Sequence, residues 1–230
     1  MRILLAALLV VFTALIGAPV RAADLPQYPD IQVPEVDYGL QGGFYLRGSA
    51  AANLLWTQEH LDICGCSVPP TAPGYGYSLG AGVGYEVGNG LRFDGTVDYL
   101  QNDGLTDGTN TLHLRGAVML ANAYYDFPLS GGAAAGGGWG AYVGAGAGAT
   151  YYQVSVTPAN VAVPDGQGWT PTVAAMAGVS YDAGSWVADL GYRMLYMPKI
   201  SNYATSPDVP WYIYDNTVHE IRGTVRYRFQ

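Results

Sequence analysis

Three histidines, one pair of cysteines and a set of alternating arginines and carboxylates are the groups in this 230-residue chain that could do chemistry. His60 lies beside Glu59 and Asp62, a grouping that could support general-base work and equally suits a solvated acidic loop. Cys64-Gly65-Cys66 follows at once. With one residue between them, the sulfurs allow a strained small-ring disulfide, an intermolecular pair, or a soft-metal site with His60. The spacing is not a zinc pattern and no second pair exists, so a disulfide is the expectation. His113 and His219 have no serine at a spacing that makes a nucleophile pair, and Asp215 or Glu220 beside His219 reads as readily as an ion pair.

The arginines are more informative. They occur in GGFYLRGS, LRFDGTVDYL, WVADLGYRML and HEIRGTVRYRF. In the last stretch Ile221, Val225, Tyr227 and Phe229 share one parity, and Glu220, Arg222, Arg226 and Arg228 share the other. A strand changes face at every residue, so this segment has an apolar face and an ionic face. Too few helical segments and too much glycine are present to supply a covering layer, which leaves lipid as the partner of the apolar face.

The first 22 residues read as a secretory signal peptide. Arg2 opens it, Ile3 to Ile16 is apolar, and Val20-Arg21-Ala22 offers a cut site. The apolar run is short for a spanning helix. The mature chain would carry eight basic residues against 18 acids, a balance that disfavours nucleic acid as partner. An oxidising compartment also favours the disulfide reading of Cys64 and Cys66.

Residues 23–41 carry prolines and acids without periodicity and read as a periplasmic tail. The remainder, 42–230, breaks into eight predicted strands: 42–53, 74–87, 91–101, a long one ending near 127, 139–152, 169–182, 186–198 and 215–229. Gly88-Asn89-Gly90 is a tight hairpin turn. Connections alternate long and short, with Asn102 to Asn110 and 199–214 among the long ones, as in outer-membrane barrels. The predicted fold is all-β, an eight-stranded antiparallel up-and-down transmembrane β-barrel.

Aromatic residues fall into two groups. Tyr85, Phe93, Tyr125, Phe127, Trp139, Tyr181, Trp186, Tyr227 and Phe229 lie at the short-turn end. Trp56, Tyr75, Tyr77, Tyr99, Tyr151, Tyr152, Trp169, Tyr196 and Trp211 lie at the long-loop end. Two such rings match interfacial girdles. The fourth strand is ambiguous. Facing Ala117 to Phe127 to lipid turns His113 and Arg115 outward, which requires them to stand above the bilayer or a bulge to intervene.

An arginine facing lipid at mid-membrane costs roughly 2–4 kcal/mol. Pointing Arg47, Arg92, Arg193, Arg222 and Arg226 inward beside Glu86, Asp94, Asp98, Asp189 and Glu220 removes that cost. A small barrel has room only for side chains or one small ligand, so ion pairs are expected to fill the lumen. Glycines 76, 80, 82, 84, 140, 144, 146 and 148 would make room for the long arginines.

These features resemble the small eight-stranded outer-membrane proteins with OmpA-like or opacity-protein-like barrels, close to the porin-family surface antigens of alphaproteobacteria. ADLP at 23–26, GFYLRG at 43–48, NAYYDF at 122–127, YVGAGAGA at 142–149 and HEIRGTVRYRF at 219–229 carry the resemblance. It implies bacterial outer-membrane residence and insertion by the barrel-assembly machinery, which reads a terminal aromatic signal. Tyr227 and Phe229 match that signal, although Gln230 follows.

The expected function is a structural or surface-interaction role, without enzyme activity or cofactor and with a monomeric barrel. Outer-membrane lipids, lipopolysaccharide and an extracellular or envelope partner of the loops are the expected contacts. A narrow diffusion channel is the main alternative. A lipid A-modifying enzyme and a secreted lipocalin-like binder stand behind it.

Overall fold

The computed structural model describes residues 43–57, 59–61, 67–68, 70–108, 110–129, 138–157, 164–208 and 210–229. The signal peptide, the tail and both cysteines lie outside these residues. Eight long strands form the wall: β1 (Gly43–Trp56), β4 (Gly74–Gly88), β5 (Leu91–Thr106), β6 (Thr111–Pro128), β7 (Gly138–Thr157), β8 (Gly166–Asp182), β9 (Trp186–Ser201) and β10 (Tyr212–Arg228). Two short strands, β2 (Glu59–Leu61) and β3 (Ser67–Val68), belong to the first external connection. Each long strand pairs antiparallel with its neighbour, and β1 pairs with β10 from Tyr45↔Arg228 to Trp56↔Thr217. That seam closes the sheet, so the wall has no free edge within the membrane.

Why these residues form strands is visible in their burial. Along β5, Arg92, Asp94, Thr96, Asp98 and Leu100 are buried while Leu91, Phe93, Val97 and Tyr99 are exposed. A soluble sheet would show the reverse, and the lipocalin-like reading required apolar bulk inside along these strands. The outward apolar band is instead the surface that hydrocarbon covers. Gly88, Asn89 and Gly90 all adopt positive φ, which a two-residue hairpin needs.

The strands run farther than the alternation pattern implies. The stretch Asn102 to Asn110 was expected to be a loop, yet β5 continues to Thr106 and β6 starts at Thr111. A bulge at Gly104, φ 88°, shifts the register between Asp103 and Leu105 and breaks the alternation. The first long loop contains the β2–β3 hairpin, whose β2 adds to the outer end of β10 through Leu61↔Tyr212, His60↔Ile213 and Glu59↔Tyr214. Glu59 and His60 are therefore on a strand rather than in a free loop.

In β6 the ambiguity resolves without a bulge in that strand. Its register with β7 is continuous from Thr111↔Thr157 to Pro128↔Gly140, and Arg115 is exposed on the outer face. The residues expected to form girdles mostly do. At the short-turn end Phe44–Tyr85, Tyr125–Phe127, Trp139–Tyr181 and Trp186–Tyr227 have ring centroids 4.8–5.2 Å apart. At the long-loop end Tyr151 packs on Trp169 at 5.3 Å and Tyr77 on Tyr99 at 6.4 Å. Tyr152 and Trp211 are corrections. Both are buried, because Tyr152 follows outward Tyr151 and must face inward, and Trp211 folds over the external mouth.

Candidate functional site

The lumen has two storeys. Inward residues at the short-turn end and through the middle are mostly charged or polar, with Val187, Met176, Leu120 and Val118 set among them. At the long-loop end they are apolar, with Leu55, Leu100, Leu112, Leu114, Leu195, Met197, Ile200 and Ile213 under Trp211. The expectation of ion pairs throughout is thus corrected: their span ends where the wall rises above the girdle. There, neither lipid avoidance nor pairing calls for arginine.

The centre of the ionic storey is a closed cycle. Asp98 on β5 accepts from Arg193 Nη1 and Arg222 Nη1, each at 2.7 Å. Glu220 accepts from Arg193 Nε at 2.6 Å, Arg222 Nη2 at 3.1 Å and Ser78 Oγ at 2.5 Å. Two guanidiniums and two carboxylates alternate, so the cycle carries no net charge. Ser49 accepts a further bond from Arg222 at 2.6 Å.

Below it, Asp94 accepts from Arg47 at 2.7 Å, Tyr45 at 2.9 Å and Asn122 at 2.8 Å. Arg92 donates to Asp126 at 2.8 Å and lies 3.9 Å from the Tyr124 ring centre, a cation–π contact out of water. Near the short turns Arg226 grips Asp189 with two bonds of 3.0 Å and reaches Glu86 at 2.8 Å. Arg228 joins Glu86 at 2.8 Å and Asp182 at 2.5 Å. The ten residues named from the sequence therefore lie in three clusters. Arg228 and Asp182 were not among them. Asp182 was placed in a turn, and only its ion pair with Arg228, two strands away, reveals it.

The inner glycines serve this packing differently from the expectation. A Cβ on Gly82 would stand 3.2 Å from Arg47 Cγ, but on Gly76 and Gly148 it would meet neighbouring backbone, and at other inner glycines shorter or ring-bearing side chains. Gly80 makes way for Asp98, Gly84 for Tyr45, Gly144 for Tyr124 and Gly146 for Asn122. Among the described residues two hollows are only about 10 Å³ each, one bordered by Arg47, Arg92, Arg193 and Arg222 and one by Thr57 and Leu112. Either is about the size of a single water site.

His113 and His219 sit on the outside. His219 faces away from Glu220, its strand neighbour, and meets Tyr192 Oη at 2.5 Å, while Asp215 accepts from Tyr196 at 2.6 Å. Neither acid pairs with His219. His113 Nδ1 lies 2.8 Å from Asp103 Oδ1, and its Nε2 lies 3.4 Å from Thr157 Oγ1. Ser155 is the direct cross-strand neighbour of His113, a proximity that 41 intervening positions conceal in the sequence. Among the described residues no group of three or more His, Cys, Asp or Glu is arranged to hold a metal.

The family model described as outer membrane protein beta-barrel domain matches residues 10–229. The chain belongs to that family. Its residence is the bacterial outer membrane, as the outward apolar band requires. Uncharacterized proteins of Brucella abortus and Brucella suis are each 32% identical to this member of the outer membrane protein beta-barrel family, over 52% of the chain and 51% of their own length. The chain spans about half the length of these curated relatives. Neisserial surface protein A has a similar fold, with a TM-score of 0.53 and 22% identity, covering 81% of this chain and 97% of that structure. Ail, the attachment invasion locus protein of Yersinia pestis, scores 0.44 at 15% identity, covering 82% and 99%.

Proposed function

We propose that this outer-membrane barrel works through its outer wall and external rim, in a structural or surface-interaction role, and that its lumen is a closed, ion-paired strut. The observation that carries this reading is the Asp98–Arg193–Glu220–Arg222 cycle beneath an apolar storey, with a hollow of only about 10 Å³ among Arg47, Arg92, Arg193 and Arg222. Permeation would need both storeys to open. Separating Asp98 from its two arginines would leave buried charges unpaired, at a penalty of several kcal/mol each.

Outer-membrane lipid and lipopolysaccharide are its immediate partners in this reading, and the rim is the surface offered to an extracellular or envelope partner. The assembly machinery engages β10 through Tyr227 and Phe229. Both are exposed, and their rings pack at 5.4 Å at the periplasmic end of the last strand. The barrel is monomeric and has no catalytic role.

The test is single-channel conductance of the refolded mature protein in planar bilayers, with boiled and unboiled gel migration run alongside. A mobility shift without conductance supports the closed strut. Steady conductance would replace it with a narrow diffusion channel.

A further inference from the structure

A row of polar side chains crosses the outside of four strands at one height. Gln101 is paired with Arg115, Arg115 with Gln153, and Gln153 with Gln167. Two residues lower on the same outer faces is the row Tyr99, Ala117, Tyr151 and Trp169. The two rows are tied together: Tyr151 donates to Gln167 Oε1 at 3.1 Å and Tyr77 to Gln101 Oε1 at 3.2 Å. Since the lower row belongs to the girdle, the upper one stands at the headgroup level of the outer leaflet.

Arg115 is exceptional in this row. The six other arginines among the described residues each have a carboxylate within 4.0 Å, and Arg115 has none among those residues. It is exposed and borders an open hollow of about 730 Å³ shared with His113, Gln153, Ser155, Asp165 and Gln167. The nearest cross-strand acid, Asp103, is engaged by His113 and by Gln101 Nε2 at 2.9 Å. Thr205, also on the hollow, donates to the Asp165 backbone carbonyl at 2.9 Å and fixes the upper lip.

We propose that this hollow binds the phosphorylated sugar headgroup of an outer-leaflet glycolipid. A guanidinium with free donors matches a phosphate in a fork of hydrogen bonds. Around it, two amides, a hydroxyl and the Asp165 carboxylate supply the mixed donors and acceptors that sugar hydroxyls use. A simple anion site would gather more positive charge and fewer acceptors. The proposal rests on the membrane placement of the barrel and not on the closed lumen.

The experiment titrates the folded mature protein in mixed micelles with bisphosphorylated lipid A, with the same lipid dephosphorylated, and with inorganic phosphate, counting bound lipid by native mass spectrometry. Wild type, Arg115→Gln and Lys199→Gln are compared, each checked for folding by gel mobility. Lys199 is a rim cation elsewhere, over the Tyr212 ring at 4.0 Å. Bisphosphorylated lipid A should bind the wild type and Lys199→Gln alike. Arg115→Gln and the dephosphorylated lipid should each weaken binding about tenfold, the loss of one charge-assisted contact. Millimolar inorganic phosphate should not compete. Equal binding by Arg115→Gln, an equal loss in Lys199→Gln, or displacement by phosphate alone would each overturn the assignment. A conducting barrel that still selects the phosphorylated lipid would leave it standing while removing the closed-lumen reading.

Discussion

Asp98 and Arg193 belong to β5 and β9, four places apart in a ring of eight strands, and their side chains meet at 2.7 Å. The contact therefore crosses the full bore of the barrel. Each is buried, and on β10 Asp98 is also bonded to Arg222 and Arg193 to Glu220. Truncating one member strands its partners in a place water barely enters. Asp98→Ala should lower stability by about 3–5 kcal/mol, read as a shift of the urea midpoint in micelles. Asp98→Leu combined with Arg193→Met should lose less than the sum of the single changes.

Glycines 95 and 148 make a controlled pair. A Cβ on Gly148 would stand 1.9 Å from the Met119 backbone oxygen, whereas Gly95 faces outward with nothing within 4 Å. Gly148→Ala should destabilise the barrel by about 1–3 kcal/mol through overpacking. Gly95→Ala should shift the same urea midpoint by less than about 0.5 kcal/mol.

Depth in the membrane can be read by one substitution at two heights. Val97 is 55% exposed in the middle of the apolar band, and Gln153 lies in the polar row above the girdle. Val97→Arg should cost about 2–4 kcal/mol and Gln153→Arg about 0–1. Equal costs in refolding titrations would mean that the band does not face hydrocarbon.

Asp103, His113 and the hydroxyls of Ser155 and Thr157 stand together at the rim, so hydrolysis of outer-leaflet lipid is the enzymatic reading to exclude. Lipid A from cells expressing the wild type or His113→Ala should show one acylation pattern by mass spectrometry. A shortened species made only by the wild type would make His113 catalytic.

In the proposed reading, assembly depends on the end of β10. Replacing Tyr227 and Phe229 together by alanine should reduce the fraction of heat-modifiable protein recovered from outer membranes, while the purified variant refolds in detergent. Unchanged recovery in cells would remove these two rings as the assembly signal.

What could be read from residues alone was the facing of strands. Ile221 against Glu220, or Phe93 against Arg92, declares two environments without any knowledge of neighbours. Pairing was not legible, since Asp98 is as close in sequence to Arg92 as to any arginine, yet it meets Arg193 and Arg222 from other strands. The apolar storey was hidden for a different reason. At Gly104 in β5, and at Asp215 opposite Pro198, the alternation slips, so Leu105, Ile213 and Ile200 turn inward out of step with the residues below. Adjacent tyrosines deceived similarly. Tyr151 and Tyr152 both looked interfacial, but neighbours on a strand cannot share a face.

The neutral cycle also sets the order in which charge is satisfied as the wall closes. Within the β9–β10 hairpin alone, Arg193 and Arg222 share the single carboxylate of Glu220, leaving one positive charge in excess around it. Balance arrives only when Asp98 swings in from the far wall. A slip of two residues in β5, the smallest that keeps every face correct, would offer Thr96 or Leu100 in its place. The cycle thus acts as a vernier: of all the ways to shut the seam, it rewards the one in which eight strands count true.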